Sequence, residues 1–370
     1  MTTATPAVPP LDDRDGVIWY DGEFVPWREA RLHVLSHGLH YGGSVFEGER
    51  AYGGKVFKLH EHTARLAASA RTMGFELPWS VPELAAASAE AVAVAGLTDG
   101  YVRPVAWRGS DTLRLVAPDS RVHVAIAAWP WPRIFTDGPR GIRLRTSRWR
   151  RPAPDTAPVS AKTAALYALG ALAGQEAEAA GHDDALLLDH RGRLAEATGA
   201  NLFLVIAGEL HTPPPECVLD GITRRTVIDI ARDRGLSVVE RHLDPSELAD
   251  ATEVFLTGTA YEVQPVTAVD ALRFPLGAVG AALAAAYGRI VRGEEACPAP
   301  SSGARPACGG ARSASESGAS ASVGTAPASV GVAPASDGAE SVPAAASPLS
   351  GATSRRPAPH RPAPAVSESG

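Results

Sequence analysis

The chain has 370 residues, 45% of them hydrophobic, with a formal net charge of −6 and a pI of about 6.0. Acidic and basic residues are mixed throughout, which argues against nucleic acid as the main partner. No apolar stretch is long enough to cross a bilayer, and no basic segment followed by an apolar run opens the chain, so no membrane is expected. The three cysteines, Cys217, Cys297 and Cys308, make neither a disulfide framework nor a metal-ligand spacing. A reducing cytoplasm is the expected setting and no metal is expected.

In chain order, Val17 to Pro26 reads as a hairpin around the turn Asp21-Gly22. His33 to Gly48 carries three histidines and a glycine pair, a loop leading into a short helix. Arg50–Tyr52 and Val56–Leu59 predict a second hairpin across Gly53-Gly54. His60 to Gly74 has helical spacing, with Leu66, Ala70 and Met73 on one face. Pro82 to Ala95 predicts another helix, with the proline near its first turn. Tyr101–Trp107 and Val122–Trp129 read as strands, and a small N-terminal α/β domain over 10–133 would end there.

A larger domain over 140–293 opens on the strand Ile142–Thr146. A proline-rich loop then leads to Lys162 and a helix to about Ala180. Strands are expected at Asp184–Asp189, Leu202–Ile206, Glu209–Thr212, Val238–Arg241, Glu253–Thr257 and Val263–Val266. Helices are expected at Arg224–Asp233, with Gly235 just past its end, and at Gly277–Arg292. This uneven alternation favours an α+β, or mixed α/β, fold over a doubly wound parallel sheet. From residue 294 the chain is Ala/Ser/Pro/Gly-rich and has no aromatic after Tyr287, so 294–370 is expected to be a disordered tail.

Only three of the 35 basic Lys and Arg residues are lysines: Lys55, Lys58 and Lys162. Lys162 stands alone in Ser160-Ala-Lys-Thr-Ala-Ala-Leu-Tyr167, at the entry to an Ala/Leu-rich helix. Arginine serves for surface charge but cannot give up its proton near neutral pH. A lysine kept in an apolar segment therefore suits amine chemistry. The competing reading is a lysine snorkelling from a helix end. Pyridoxal phosphate needs such an amine, a carboxylate for its ring nitrogen, donors for its phosphate and a pocket for a substrate carboxylate. Glu196, after a strand turn and before a small-residue loop, is the candidate carboxylate, or else a surface glutamate. Gly221-Ile-Thr-Arg-Arg-Thr-Val227 puts free amides at a helix start, a phosphate site or else a plain cap by Thr223. Thr257-Gly-Thr-Ala-Tyr261 offers a second set of amides after an apolar strand.

These pieces occur in the order of a known family. From Ile18 to Asp270 the chain resembles the class IV aminotransferases, and within them the branched-chain amino acid aminotransferases. The resemblance rests on His40-Tyr-Gly-Gly-Ser-Val-Phe-Glu-Gly-Glu-Arg-Ala-Tyr52, His62-Thr-Ala-Arg-Leu66, Tyr101-Val-Arg-Pro104, Gly221-Ile-Thr-Arg224 and Thr257-Gly-Thr-Ala-Tyr-Glu262. It implies a two-domain fold type IV enzyme with pyridoxal 5'-phosphate between the domains, working as a homodimer. Lys162 would be the catalytic amine and proton shuttle. Tyr167 would bind the phenolic oxygen and Glu196 the pyridine nitrogen. Arg65, the amides of Ile222 and Thr223, and Thr259 would bind the phosphate. Tyr101, with the amides of Thr259 and Ala260, would hold the substrate carboxylate, and Arg103 the second carboxylate of glutamate or 2-oxoglutarate. Phe46, Tyr41, Trp131 and Tyr167 would line an apolar side-chain pocket. Transfer between an L-amino acid and 2-oxoglutarate would run in two half-reactions through pyridoxamine phosphate.

The chain departs from the family pattern at Ala197, Ala200 and Ile134, and in the stretch after Lys162. These departures bear on substrate identity, and a specialised biosynthetic pathway is compatible with them. A D-amino acid aminotransferase or an aminodeoxychorismate lyase shares the lysine, the glutamate and the phosphate site, and stays open at this point. So does a non-catalytic cofactor-binding protein.

Overall fold

The computed structural model describes residues 10–131 and 141–300. The expected tail and Ile134 therefore lie, wholly or nearly so, outside the described residues. The N-terminal part builds a seven-stranded antiparallel sheet. Its strands are β1 (Val17–Tyr20), β2 (Glu23–Pro26), β3 (Ser44–Phe46), β4 (Glu49–Tyr52), β5 (Lys55–Val56), β6 (Gly100–Arg108) and β7 (Val122–Trp129). The helices are α1 (His37–Tyr41), α2 (Leu59–Thr72) and α3 (Val81–Val94). Alternation along the strands divides the sheet's two faces. Val102, Ala106, Val124 and Ile126 pack against Leu66 and Ala70 of α2 and Leu84, Ala87 and Ala91 of α3. Tyr101, Ala127 and Trp129, offset by one residue, gather with Trp27 and Trp131 in a separate aromatic cluster. Ser80 caps α3 in a capping box with Glu83, and Pro82 sits in the first turn.

Two local expectations do not hold. The strand expected over Val56–Leu59 stops at Val56, because Lys58 adopts a left-handed φ of 54° and turns the chain into α2. The loop after α1 also yields a strand, β3, which no alternation announces.

The second sheet has nine strands of mixed direction. They are β8 (Ile142–Arg150), β9 (Asp184–Leu188), β10 (Leu194–Ala197), β11 (Asn201–Ile206), β12 (Glu209–Thr212), β13 (Val238–Glu240), β14 (Ala251–Gly258), β15 (Glu262–Val269) and β16 (Leu272–Arg273). Helix α4 (Ala164–Ala179) connects the parallel pair β8 and β9, as a parallel pairing requires. Helices α5 (Ile222–Asp233) and α6 (Ala278–Val291) pack on Phe203, Val205 and Phe255. The alternate residues Leu202, Leu204, Val254 and Leu256 build a separate core cluster with Ile142, Leu144 and Phe274. This α+β architecture is the one the uneven element pattern predicts. Strand β8 runs four residues past the alternating Ile142–Thr146 segment expected as a strand, and the two-residue β16 carries no period of its own.

The sheets meet at the residues that matter most. The Phe46 amide donates to the Lys162 carbonyl (3.1 Å), and Val45 bridges to Thr163. The Thr163 hydroxyl, fully buried, donates to the Ser44 carbonyl at 2.9 Å. The Lys162 amide donates to Ser69 Oγ of α2 at 3.0 Å. The lysine backbone is thus fixed from both sides before its side chain makes any contact.

Candidate active site

The lining of one cleft includes Arg65, Lys162, Tyr167, Glu196, Ile222, Thr223 and Thr259. All seven are among the residues picked out in the sequence, and they come from α2, the entry to α4, β10, α5 and the loop after β14. Lys162 Nζ donates to the Tyr167 hydroxyl at 2.6 Å and lies 4.9 Å from the ring centroids of both Tyr167 and Phe46. Lys162 precedes the helix cap Thr163, so its side chain reaches the cleft from an extended segment. It does not snorkel from a helix turn.

Glu196 is 8% exposed. Arg151 Nε lies 3.0 Å from one carboxylate oxygen, while Asn201 Nδ2 (3.2 Å) and the Leu219 amide (3.3 Å) donate to the other. Burial pushes this carboxyl up, and Arg151 and the Leu219 amide offset that only in part. A carboxylate has about four lone-pair positions. Both hydrogen bonds it accepts fall on one oxygen, and the other, paired with Arg151, keeps room for a donor in the cleft.

The start of α5 offers unpaired amides to the cleft. Gly221 is its cap and supplies no side-chain hydrogen bond, so the first-turn amides of Ile222 and Thr223 are left to a ligand. Thr223 lies within the first turn, which replaces the reading of it as a plain cap. A Cβ at Gly221 would lie 2.0 Å from Asn201 Oδ1, so only glycine fits beside the side chain that holds Glu196. Thr257 Oγ1 in the same lining is buried with no protein partner.

Arg65 approaches from α2, gripped by a residue that sequence reasoning missed. Glu47, fully buried, accepts from Arg65 Nε (2.7 Å) and Nη2 (2.9 Å), and His62 Nδ1 lies 2.7 Å from it. Burial alone would push the Glu47 carboxyl up. Arg65 and His62 overcome that and hold it well below the usual carboxylate range. Arg65 Nη1 also donates to the Asp220 carbonyl (3.1 Å), which aims the guanidinium at the entry to α5. Glu47 sits inside the quoted Phe-Glu-Gly run, but nothing in that run reveals a partner 18 residues away on a helix face. Arg151 and Asn201 were missed for the same reason.

Glu49, two residues on, is buried with both oxygens unpartnered, and burial followed by repulsion from Glu47 pushes its carboxyl well up. Its folded-state pKa therefore exceeds the unfolded one. The stability this implies is fully present below the unfolded carboxylate range and is lost as pH rises through the folded value. Glu49→Gln is expected to remove that loss. Denaturant titrations from pH 5 to 8 should show the variant gaining on the wild type with a slope of up to about 1.4 kcal/mol per pH unit. A constant difference across that range would refute the assignment.

The substrate-side candidates lie next door. Phe46 stacks edge-on to Tyr167 at 4.7 Å, and the Arg103 guanidinium covers its ring at 4.7 Å. Arg103 Nη2 donates to the Tyr101 hydroxyl (3.0 Å), Tyr101 lies 5.3 Å from Trp131, and Ala260 packs on this cluster. Phe46, Tyr101, Arg103, Trp131, Ala260 and Tyr41 do not belong to the cleft's own lining, and Tyr41 stands apart from the cluster as well. It is 43% exposed on α1, and its hydroxyl donates to the Leu113 carbonyl at 2.9 Å.

The arrangement pairs an amine with a phenol, faces them with a buried carboxylate and ends in a helix start with unpaired amides, beside aromatic walls that carry a guanidinium. Comparison with known proteins gives it a family. The amino-transferase class IV profile matches residues 44–269. A probable branched-chain-amino-acid aminotransferase of Rickettsia felis is 45% identical over 74% of this chain and 96% of its own length. The branched-chain aminotransferase of Thermoproteus uzoniensis, solved with norvaline, superposes with a TM-score of 0.74 at 38% identity, covering 76% of this chain and 97% of that one. The T.th. branched-chain amino acid aminotransferase, solved with pyridoxamine 5'-phosphate, has a TM-score of 0.74 at 41% identity, covering 76% and 96%. Fold, cleft and sequence agree, and the chain belongs to the class IV aminotransferases.

Proposed function

We propose that this aminotransferase moves an amino group between an L-amino acid with a branched or other apolar side chain and 2-oxoglutarate, using pyridoxal 5'-phosphate. The observation that carries the reading is the Lys162–Tyr167 pair, 2.6 Å apart, in one cleft with the buried carboxylate of Glu196, one oxygen of which accepts no protein hydrogen bond. The residues fit the cofactor. The free amides of α5 with Arg65 suit its phosphate, Glu196 its ring nitrogen, and the Tyr167 hydroxyl its phenolic oxygen. Once bound, the cofactor supplies an electron sink for charge left on the substrate α-carbon.

The chain's own residues do the rest. Glu196 holds a proton at the ring nitrogen, backed by Arg151. The Lys162 amine carries the proton to and from the substrate carbon, within reach of the Tyr167 hydroxyl, which orients it. Phe46, Trp131 and Tyr167 suit an apolar side chain. Arg103 supports the acidic co-substrate: among the described residues no carboxylate pairs with it, and its Nε is buried without a partner. One pocket can then take both an apolar chain along its rings and a carboxylate at its guanidinium, as a two-stage exchange requires. The pyridoxamine form seen in the T.th. relative is the amino-bearing state expected between those stages.

A homodimer belongs to this reading. Leu35, Leu39, Tyr41, Leu113, Leu115 and Val116 are exposed large apolar side chains, and Tyr41 is bonded to the Leu113 carbonyl. Such a set marks an interaction face, and a second copy placed there supports a role for Tyr41 at the neighbouring site. Sedimentation velocity checks this, since a purely monomeric profile rules it out.

The test of the reaction is a coupled assay of purified protein with L-leucine and 2-oxoglutarate. Glutamate formation with loss of the visible cofactor band on adding L-leucine alone is the expected result. A band that ignores every L-amino acid but responds to D-amino acids or aminodeoxychorismate would move the protein to a different class IV chemistry.

A further inference from the structure

Outside the cleft, the described residues bring three metal-donor side chains of different kinds together. Asp189 and His190 sit at the turn between β9 and β10, and Cys217 lies on the segment leading to α5. One ligand atom from each falls within 4.8 Å of the others. Asp189 and Cys217 are buried, at 3% and 7% exposure, and Cys217 Sγ lies 3.7 Å from His190 Nδ1. Asp189 Oδ1 accepts the amides of Arg191 (2.8 Å) and Arg193 (2.9 Å), which fixes the carboxylate and leaves its second oxygen for a ligand. The turn explains the aspartate. It does not explain why a thiol from a segment 27 residues on comes up beside the imidazole that neighbours it.

We propose that Asp189, His190 and Cys217 form a binding site for one Zn²⁺ ion. One carboxylate oxygen, one imidazole nitrogen and one thiolate sulfur make a mixed hard and soft set suited to a borderline metal. With bonds of about 2.0–2.3 Å, a tetrahedron on these atoms needs them within about an ångström of where they stand. Small rotations of the Cys217 and His190 side chains close that gap. Three protein ligands leave the fourth position for water or a fourth side chain. Nearby, Glu216 is the residue before Cys217 and lies 3.2 Å from His242. The metal takes the thiolate, so the Cys217 thiol proton leaves to solvent on binding.

The site also has a place in the enzyme. The Cys217 carbonyl accepts from Arg151 Nε at 3.2 Å, and that same nitrogen lies 3.0 Å from Glu196. Two residues on, the Leu219 amide donates to Glu196. A metal on Cys217 would therefore fix the segment that backs the buried carboxylate of the cleft. This coupling rests on the proposed role of Glu196, whereas metal binding itself does not.

The test uses the full chain, stripped with a chelator and dialysed against buffered Zn²⁺, with metal content read by elemental analysis. The expected result is one zinc per chain. Cys217→Ser and His190→Ala should each weaken binding at least about a hundredfold, the upper end of what supporting contacts alone are worth. A Cys297→Ser/Cys308→Ser double variant should bind as the wild type does. No zinc on the wild type, zinc retained equally by Cys217→Ser, or zinc lost with the tail cysteines would each overturn the proposal. Circular dichroism shows which single variant stays folded, and either one suffices. If zinc binds as expected but amino transfer is the same with and without it, the coupling to Glu196 fails while the site stands.

Discussion

Lys162→Ala is expected to lower amino transfer by at least about 10⁴-fold, the upper end of what a positioned general acid–base group contributes. Initial rates with L-leucine and 2-oxoglutarate measure it. The expectation rests on what the substitution leaves alone. The Lys162 amide is held by Ser69 Oγ and its carbonyl by the Phe46 amide, and alanine keeps both bonds. The join between the sheets therefore survives, and only the amine at 2.6 Å from the Tyr167 hydroxyl is lost. Lys162→Arg sharpens the point. Arginine retains the positive charge beside the Phe46 and Tyr167 rings but cannot exchange a proton near neutral pH. It should be as inactive as alanine. A rate for either variant within tenfold of the wild type would remove Lys162 from the mechanism and return it to a structural cation.

Lys162 was legible in the sequence because of scarcity. In a chain that uses arginine almost everywhere, a lysine in an apolar segment says something about chemistry. The uncapped start of α5 was legible too, since glycine opening a helix is a local signal that needs no tertiary knowledge. The supports were not. Glu47, Arg151 and Asn201 each act through a partner placed by a different element, and burial decides their charge states. No periodicity encodes the contact between Arg151 and Glu196, which sit far apart along the chain. The same holds for Cys217, which the sequence shows as an isolated thiol and the fold sets beside His190 and Asp189. Tyr41 marks the opposite case. Its motif placed it in a substrate pocket, whereas one copy of the chain leaves it on the surface. Elements were readable where a 3.6- or 2-residue period dominated, as in α2, α3 and β7. They were lost where hydrogen bonding to a neighbour defines the strand, as in β3 and β16.

Glu196→Gln is expected to lower kcat by about 10²–10³-fold, the scale on which one preorganised charge contact acts in a dry site. The amide is nearly isosteric, so the Asn201 and Leu219 contacts have a group to meet, but the charge that would hold a proton at the ring nitrogen is gone. The same change removes the counter-charge of Arg151, whose side chain is 10% exposed. Losing one partner of a buried pair costs about 3–5 kcal/mol of stability, so lower activity could follow from either cause. A second substitution separates them. Arg151→Met on the Glu196→Gln background removes the stranded guanidinium and should recover most of the stability in denaturant titrations. It should recover none of the rate, because the carboxylate itself is still missing. If the rate returned along with the stability, Glu196 would be a structural anchor and the ring nitrogen would need another partner. If stability returned alone, the carboxylate acts on the chemistry and Arg151 serves to keep it charged and in place.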